Sequence, residues 1–282
     1  MKKKTVLITG SSSGFGKLTA KTFHERGWNV IATMRSPEKE TELGELENVL
    51  VTALDVTDTQ SIERAVQQGL AHFGGLEVVV NNAGYGGHAL FEQASDEVIR
   101  AMFETNVFGV MNVMRATLPI LRRQRSGTVI NVTSMAGWMG LPNSSIYTST
   151  KFATQGLTEA MALEYKPFGI EIKSVLPGAY PTTRFGANTD DAKANGDQEL
   201  NSYGQELYEH IQGIGAQMAE QGGEVADPQE VAEQIFECAT IPTPTHNPVG
   251  SDSQMLIQMM GAPPRQPFLD QMTAMLIPSS RQ

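Results

Sequence analysis

Two side chains in the middle of the chain have the types and the spacing needed for proton transfer. Tyr147 and Lys151 are four residues apart, and residues four apart lie on the same face of an α-helix. We expect the ammonium group to lower the pKa of the phenol, because a nearby positive charge favours the phenolate. Tyr147 is then a candidate general acid and base. The pair alone could equally be an ordinary surface pair.

Two polar residues earlier in the chain could complete such a site. Ser134 follows the apolar run that ends at Val132 and lies thirteen residues before Tyr147. A hydroxyl there could hydrogen-bond a substrate oxygen and stabilise its developing charge. Asn106 lies inside a predicted helix, although Asn is a mediocre helix former. Alone, Asn106 would be interpreted as an ordinary polar helix residue.

A glycine-rich turn near the start of the chain is suited to binding phosphate. Its sequence is Thr9-Gly10-Ser11-Ser12-Ser13-Gly14-Phe15-Gly16. Glycines let a backbone turn sharply and approach a pyrophosphate closely, and the helix that follows offers free N–H groups. The spacing is Gly-x-x-x-Gly-x-Gly rather than Gly-x-Gly-x-x-Gly, and no Lys-Ser/Thr pair follows it as in a Walker loop.

Short apolar runs alternate with amphipathic stretches along most of the chain. This alternation predicts an α/β fold, a Rossmann-like doubly wound parallel sheet with helices on both faces. Ligands of such sheets bind at the carboxyl ends of the strands, and every motif above follows a predicted strand. The predicted strands are 5–9, 28–33, 49–54, 76–81, 127–132 and 170–176, and the predicted helices are 14–26, 59–73, 95–121, 147–168 and 231–240.

Two regions interrupt the alternation within what we predict to be a single domain, 1–282. Residues 179–225 are rich in Gly, Gln, Asn and acidic residues, with helical pieces expected around 198–211. Their place after a strand predicts a substrate lid, with a passive surface insertion as the alternative. The tail, 241–282, is dense in Pro and Met, which predicts irregular structure.

The composition limits the classes of partner. The 282 residues have a formal net charge of -10, which argues against binding to nucleic acid. One cysteine is present, with no cluster suited to a metal ion. The basic start is followed by too short an apolar run for a signal peptide, and no segment predicts a membrane span. We therefore expect a cytoplasmic protein without a bound metal.

Taken together, these motifs resemble the short-chain dehydrogenase/reductase family. The glycine turn, the sequence Asn81-Asn82-Ala83-Gly84 and the order Asn106, Ser134, Tyr147, Lys151 all match its pattern over roughly residues 5–178. The sequence is most similar to the hydroxysteroid/retinol-dehydrogenase-like branch. The resemblance implies that Tyr147 exchanges the proton, Ser134 binds the substrate oxygen, Lys151 orients the nicotinamide ribose, and Asn106 supports a water that relays protons to the lysine.

The residues after the second predicted strand bear on the choice of cofactor. An acid there would bind the ribose hydroxyls of NAD, whereas this chain has Arg35 and Ser36. A guanidinium group suits the 2′-phosphate of NADP, so we expect NADP(H), with NAD(H) as the alternative. Many NADP-dependent members of the family have a second basic residue where this chain has Ser13.

The resemblance also implies a set of cofactor contacts. Asp55 would hold the adenine amino group, and Pro177 and Gly178 would lie beside the nicotinamide. The full set is Gly10, Ser12, Ser13, Gly14, Phe15, Gly16, Arg35, Ser36, Asp55, Val56, Asn82, Ala83, Gly84, Tyr147, Lys151, Pro177, Gly178 and Thr182.

The residues around the predicted site suggest an apolar carbonyl or alcohol as substrate. Six Met, aromatic and Leu side chains are candidates to line the pocket, although any of them could be core. The candidates are Met135, Trp138, Met139, Leu141, Tyr180 and Phe185. The family also implies a homodimer or homotetramer. The alternatives are an NADP-binding sensor without activity, an NAD-linked alcohol dehydrogenase and, less favoured, a sugar-nucleotide epimerase.

Overall fold

A seven-stranded parallel sheet forms the centre of the computed structural model, which describes residues 3–180, 197–220 and 226–259. The strand order is β3-β2-β1-β4-β5-β6-β7, so the chain changes direction across the sheet between β1 and β4. The strands are β1 Thr5–Thr9, β2 Asn29–Met34, β3 Val49–Ala53, β4 Val78–Asn81, β5 Gly127–Val132, β6 Ile170–Pro177 and β7 His246–Val249. The predicted fold class is confirmed.

Helices cover both faces of the sheet because both faces of its central strands are apolar. In β1, Val6 and Ile8 pack on one face with α1 and α7, and Leu7 packs on the other with α2, α4 and α5. This alternation follows from the two-residue period of a strand. The helices are α1 Gly14–Glu25, α2 Thr59–Phe73, α3 Asp96–Phe103, α4 Gly109–Gln124, α5 Ser145–Tyr165, α6 Gln198–Glu220, α7 Gln229–Thr240 and α8 Ser251–Met259.

The helix predicted over 95–121 is divided into α3 and α4 by a π-helical turn, Glu104–Phe108. Asn106 lies in this turn. The backbone carbonyl of Asn106 accepts a hydrogen bond from the hydroxyl of Thr154 on α5, at 3.1 Å. A π turn offsets the backbone hydrogen bonds by one residue and is frequent at functional sites. Apolar periodicity alone does not reveal it.

The prediction of irregular structure over 241–282 is wrong for the part of the tail that is described. Residues His246–Val249 form β7 beside β6, and Ser251–Met259 form α8. Pro248 is tolerated because β7 is an edge strand, where a missing N–H costs no ladder bond. The strand buries only Asn247 and Val249, so it lacks the apolar run that marks the central strands.

Part of the predicted lid is helical. The helical pieces expected around 198–211 form one longer helix, α6. Residues 181–196 and 221–225, which include Phe185 and Thr182, lie outside the described residues, as does the tail after 259. The predictions of a lid and of a single domain stay predictions.

Candidate active site

The glycine turn joins β1 to α1 and brings the backbone close to a neighbouring loop. Gly10 has φ +70°, and a Cβ on it would lie 2.9 Å from Cα of Ala83. A Cβ on Gly16 would overlap the carbonyl oxygen of Gly10. Side chains at either position would therefore force the loops apart. Gly14 also has a positive φ, +52°.

The N-terminus of α1 is open to an anion in the part of the chain that the structure describes. Ser13 is the N-cap of α1, but its side chain makes no capping hydrogen bond. Ser12 is exposed on the turn and Phe15 is half-buried. Uncapped N–H groups at the positive end of a helix dipole are suited to phosphate. The turn therefore fits the pyrophosphate of a dinucleotide.

Hydrogen bonds fix the loop after β4 to the end of β1. The hydroxyl of Thr9 accepts from the N–H groups of Asn82 and Ala83, both at 3.0 Å. The side-chain amide of Asn82 donates to the carbonyl of Thr9 at 2.9 Å and to that of Gly10 at 3.2 Å. These bonds join the two strands at the point where the strand order reverses, which is where open α/β sheets bind ligands.

The residues predicted to meet the adenosine lie at the ends of β2 and β3. The carboxylate of Asp55 accepts from the N–H and hydroxyl of Thr57, at 2.9 and 2.8 Å. The cap of α2 is Asp58, which accepts from the N–H of Gln60 at 2.9 Å, so Asp55 is not needed as a helix cap. Val56 is buried under α4.

Arg35 and Ser36 follow β2 at the carboxyl end of the sheet. The side chain of Arg35 is exposed at the end of β2, and it has no ion-pair partner among the described residues. Ser36 follows it and is half-buried at the start of a short 3-10 turn. Both residues are therefore accessible to a ligand at the carboxyl end of the sheet.

Three of the predicted catalytic residues meet at the carboxyl end of β5. Ser134 lies just beyond β5, and Tyr147 and Lys151 lie on one face of α5. Ser134 and Tyr147 share a hydrogen bond between their hydroxyl groups. The ammonium of Lys151 lies 5.6 Å from the centre of the Tyr147 ring and donates to the carbonyl of Val132 at 3.0 Å.

The pKa of Tyr147 moves in the direction opposite to our expectation. Burial raises the pKa of Tyr147 to about 12, and the hydrogen bond from Ser134 offsets only part of this rise. Burial also lowers the pKa of Lys151 to about 8. The prediction that the ammonium lowers the pKa of the phenol is therefore wrong for this structure, because loss of water around both groups is the larger effect.

Asn106 is the fourth predicted residue, and it fixes the backbone of a neighbouring loop. Its side-chain oxygen accepts from the N–H of Tyr85 at 3.1 Å, and its side-chain nitrogen donates to the carbonyl of Tyr85 at 2.8 Å. The nitrogen also donates to the hydroxyl of Thr150 at 3.2 Å. A Cβ on Gly84 would lie 3.0 Å from Oδ1 of Asn106 and 3.8 Å from Nζ of Lys151, so this loop lies directly beside the site.

The predicted pocket residues separate into two groups. Leu141 packs in the small cluster around Tyr147. Trp138 instead meets the ring of His246 on β7, with centroids 5.5 Å apart, and Tyr180 is buried against Phe15 at 5.2 Å. The assignment of Trp138 and Tyr180 to a substrate pocket is therefore not supported, because their rings pack within the protein. Met135 and Met139 are half-buried near Ser134.

Helix α6 lies over the loops that lead to this cluster. The side-chain amide of Asn143 donates to the carbonyl of Gly204 at 3.3 Å, and that of Gln93 donates to Asn201 at 2.8 Å. The ring of Tyr208 lies 5.3 Å from that of His88. These contacts place part of α6 beside the segments that carry His88, Gln93 and Asn143.

Two residues of α8 contact the loop after β6, and sequence reasoning missed both. Asp252 accepts from the N–H of Ala179 at 2.7 Å, and Ser253 donates to the carbonyl of Leu176 at 2.8 Å. Pro177 ends β6, and Gly178 donates to the carbonyl of Val249 at 2.9 Å. The sequence Gly250-Ser251-Asp252-Ser253 could have indicated a turn and the start of a helix, but it lies in the tail that we predict to be irregular.

Neither a metal site nor a membrane-spanning helix is found in the part of the chain that the structure describes. In the described ranges, His, Cys, Asp and Glu residues form no group of three or more that could hold a metal ion. Among the helices of the same ranges, none combines the length and apolar character needed to cross a membrane.

A parallel sheet with a glycine turn after β1, at its reversal point, and a Ser-Tyr-Lys group after β5, two strands away, defines a class of dinucleotide-binding oxidoreductase. Comparison with known proteins gives the same answer. The family model described as short chain dehydrogenase matches residues 4–193. The chain belongs to this family.

Several relatives and solved structures are similar over most of the chain. An uncharacterised oxidoreductase of Bacillus subtilis, YusZ, is 38% identical over 85% of this chain and 86% of its own. A 3-ketodihydrosphingosine reductase of Bacteroides thetaiotaomicron is 39% identical over 71% of this chain and 72% of its own. The crystal structure of a short-chain dehydrogenase from Streptomyces avermitilis is 31% identical and covers 92% of each chain, with a TM-score of 0.79. The structure of ElxO with NADP bound is 27% identical, covering 90% of this chain and 99% of that one, with a TM-score of 0.72.

Proposed function

We propose that this protein is an NADP(H)-dependent oxidoreductase that reduces a carbonyl group of an apolar substrate, or oxidises the corresponding alcohol. The observation that carries the proposal is the hydrogen-bonded pair of Ser134 and Tyr147 beside Lys151, at the end of the sheet where the glycine turn lies. Family membership supports an oxidoreductase. The roles of the individual residues are our proposal.

The chain's own groups account for the proton transfer. NADPH, when bound, supplies a hydride to the carbonyl carbon. The hydroxyls of Ser134 and Tyr147 would bind the carbonyl oxygen, and the phenol gives up its proton as negative charge develops there. With a pKa of about 12, Tyr147 holds its proton at neutral pH and is ready to act as a donor. Lys151 would hold the nicotinamide ribose, and the glycine turn would hold the pyrophosphate.

The preference for NADP(H) over NAD(H) is supported by Arg35. A guanidinium group can donate two parallel hydrogen bonds to a phosphate, and Arg35 is exposed at the end of β2. ElxO has been solved with NADP bound, and a serine dehydrogenase that is 25% identical was solved with NADP+. Asp55 at the end of β3 would accept from the adenine amino group.

The apolar surroundings of Tyr147 support an apolar substrate. The phenol packs with Met102 and Ala136, and with the half-buried side chains of Tyr85, Leu141 and Ile146. A relative that is 39% identical carries the name of a reductase whose substrate has a keto group. We therefore propose a ketone on a bulky apolar molecule as the substrate class.

Replacement of Tyr147 by Phe tests the proposed function. The variant keeps the ring and loses the proton donor, so we expect carbonyl reduction by NADPH to fall by a factor of about 10²–10⁴, with NADPH affinity little changed. Turnover is measured as NADPH consumption against a panel of aldehydes, ketones, steroids and retinoids, and affinity by NADPH fluorescence. Tyr165→Phe removes a phenol from the far end of α5 and serves as the matched control.

Three results would contradict the proposal in different ways. Full turnover by Tyr147→Phe would remove Tyr147 from the mechanism. Binding of NADPH without turnover on any substrate would favour the non-catalytic sensor. Tighter binding of NADH than of NADPH would favour the NAD-linked alcohol dehydrogenase.

The predicted homodimer or homotetramer stays a prediction, as does the cytoplasmic location. A groove of about 400 Å³ between α4 and α5 supports self-association, because its lining is mainly apolar. Phe108, just before α4, and Phe152, on α5, are 47% and 45% exposed. Large apolar side chains exposed together are typical of an interface.

A further inference from the structure

We propose that Asp252, in the first turn of α8, is a positioning residue that holds residues 177–179 in the shape the cofactor requires. We name residues 177–179 the β6 loop. The inference rests on the proposed function, because the β6 loop matters only if a nicotinamide cofactor binds beside it. Asp252 would act through the β6 loop rather than by touching the reacting atoms.

The carboxylate of Asp252 joins α8 directly to the β6 loop. One oxygen, Oδ2, accepts from the N–H of Ala179 at 2.7 Å. The other, Oδ1, accepts from the N–H of Ser253 at 2.8 Å. Both oxygens therefore bind backbone N–H groups, and hydrogen bonds to a charged acceptor are stronger than neutral ones. An amide at this position has only one oxygen and could accept only one of the two bonds.

The same carboxylate occupies the space beside residue 178. A Cβ on Gly178 would overlap the oxygens of Asp252. Gly178 does not have a positive φ, so an alanine there would conflict with the carboxylate and not with the backbone conformation. The side chain of Asp252 thus occupies the space that any other residue at 178 would need.

Two further contacts hold the end of β6 and the β6 loop against α8 and β7. The buried hydroxyl of Ser253 donates to the carbonyl of Leu176, and the N–H of Gly178 donates to the carbonyl of Val249. Gly250, with φ +90°, forms the turn between β7 and α8, and a Cβ on it would lie 2.8 Å from Oδ1 of Asp252. The backbone of Leu176, Gly178 and Ala179 is therefore hydrogen-bonded to residues 249–253, which join the end of β7 to the start of α8.

The position of the β6 loop makes these contacts relevant to function. It lies at the carboxyl end of β6, and β6 pairs along its length with β5, which leads to Ser134. A shift of the β6 loop would therefore move it relative to Ser134 and Tyr147. Small displacements of positioning groups are costly to catalysis even when they do not touch the substrate.

Binding of NADPH to Asp252→Ala and Asp252→Asn provides the first test. We expect the Kd for NADPH, measured by fluorescence, to rise about tenfold in the alanine variant, since it loses two charge-assisted bonds. The asparagine variant should show a smaller rise. Asp58→Asn is the matched control, because Asp58 also accepts a backbone N–H at the start of a helix, and its Kd should stay within about twofold of the wild type.

A double-mutant cycle with Gly178→Ala tests the steric part of the inference. Gly178→Ala alone should weaken NADPH binding, because the new methyl group displaces the carboxylate. In the Asp252→Ala background the methyl group has room, so the same change should have a much smaller effect. Equal effects in both backgrounds would show that the two residues are not coupled and would overturn the proposal.

Thermal unfolding and the split between kcat and KM separate positioning from stability. A residue with only a structural role would lower the Tm and leave the Kd for NADPH unchanged well below that Tm, which would overturn the inference. The expected result is a raised KM for NADPH at temperatures where each variant is fully folded. If the wild type binds neither NADPH nor NADH, the proposed function fails, and the inference fails with it. If the wild type binds NADPH and Asp252→Ala binds it equally well, only the inference fails.

Discussion

The burial of Lys151 predicts an unusual dependence of stability on pH. The pKa of Lys151 is lowered by burial from 10.5 to about 8. Below about pH 8 the folded and unfolded states both carry the proton, so this residue contributes no slope. Between about pH 8 and 10.5 only the unfolded state carries the proton. Stability rises with pH wherever the unfolded state binds more protons, so Lys151 makes the protein more stable as the pH rises through this window.

The size of the effect follows from the two pKa values. From pH 7 to pH 9 the free energy of unfolding should gain about 1 kcal/mol from this residue, which corresponds to a rise in Tm of roughly 2–4 °C. The upper limit of the window is set by Tyr147. Its pKa is raised from 10.0 to about 12, so above about pH 10 the unfolded state loses the phenol proton first and stability falls as pH rises.

The measurement compares urea unfolding of the wild type and of Lys151→Met at pH 7, 8 and 9. Other titrating groups are common to both proteins, so the difference between their free energies of unfolding isolates Lys151. We expect the free energy of unfolding of the wild type, relative to that of the variant, to rise by about 1 kcal/mol from pH 7 to pH 9. Lys166→Met removes an exposed lysine just after α5 and serves as the matched control.

A constant or falling difference for Lys151→Met would refute the reasoning. A constant difference would mean that the ammonium group of Lys151 keeps an ordinary pKa, and therefore that water reaches it. The hydrogen bond that Nζ donates to the carbonyl of Val132 would then not be enough to keep water away from the ammonium group. A separate conclusion would also fail, because burial is the cause that raises the pKa of Tyr147.

Two further changes test the remaining parts of the site. Arg35→Ala should raise the Kd for NADPH by roughly 10–100-fold, because a charge-assisted bond to the phosphate is lost. The Kd for NADH should change much less. An equal change for both cofactors would contradict the role of Arg35. Asn106→Asp removes the donor to Tyr85 and Thr150. We expect the free energy of unfolding in urea to fall by about 1–3 kcal/mol, together with a lower kcat. Unchanged stability would contradict the role of Asn106 in fixing the loop that contains Tyr85.

Much of the sheet could be predicted because its strands are apolar on both faces. Runs such as Val78–Asn81 and Gly127–Val132 are bounded by turn residues, and helices of ordinary length separate them. Short apolar runs alternating with helices allow few arrangements besides a parallel sheet. Once the strands are placed, their carboxyl ends bring the glycine turn, Asn82 and Ser134 to one edge. The candidate site was therefore predictable wherever it follows a central strand.

The last strand, β7, could not be predicted from the sequence, and the reason is physical. β7 has a solvent-facing edge, contains Pro248 and buries two of its four residues, so neither an apolar run nor strict alternation marks it. The contacts that give α8 its position, such as those of Asp252 and Ser253, join residues more than seventy positions apart. Such partners become visible only when the fold is known.

The prediction that Lys151 lowers the pKa of Tyr147 is wrong for a related reason. The spacing of Tyr147 and Lys151 shows that they share a helix face, but it does not show how much water remains around them. In this structure the loss of water dominates, so the pKa of the phenol rises and that of the ammonium falls. At pH 7 both groups still hold their protons. With its proton held, the phenol can protonate a developing alkoxide during carbonyl reduction.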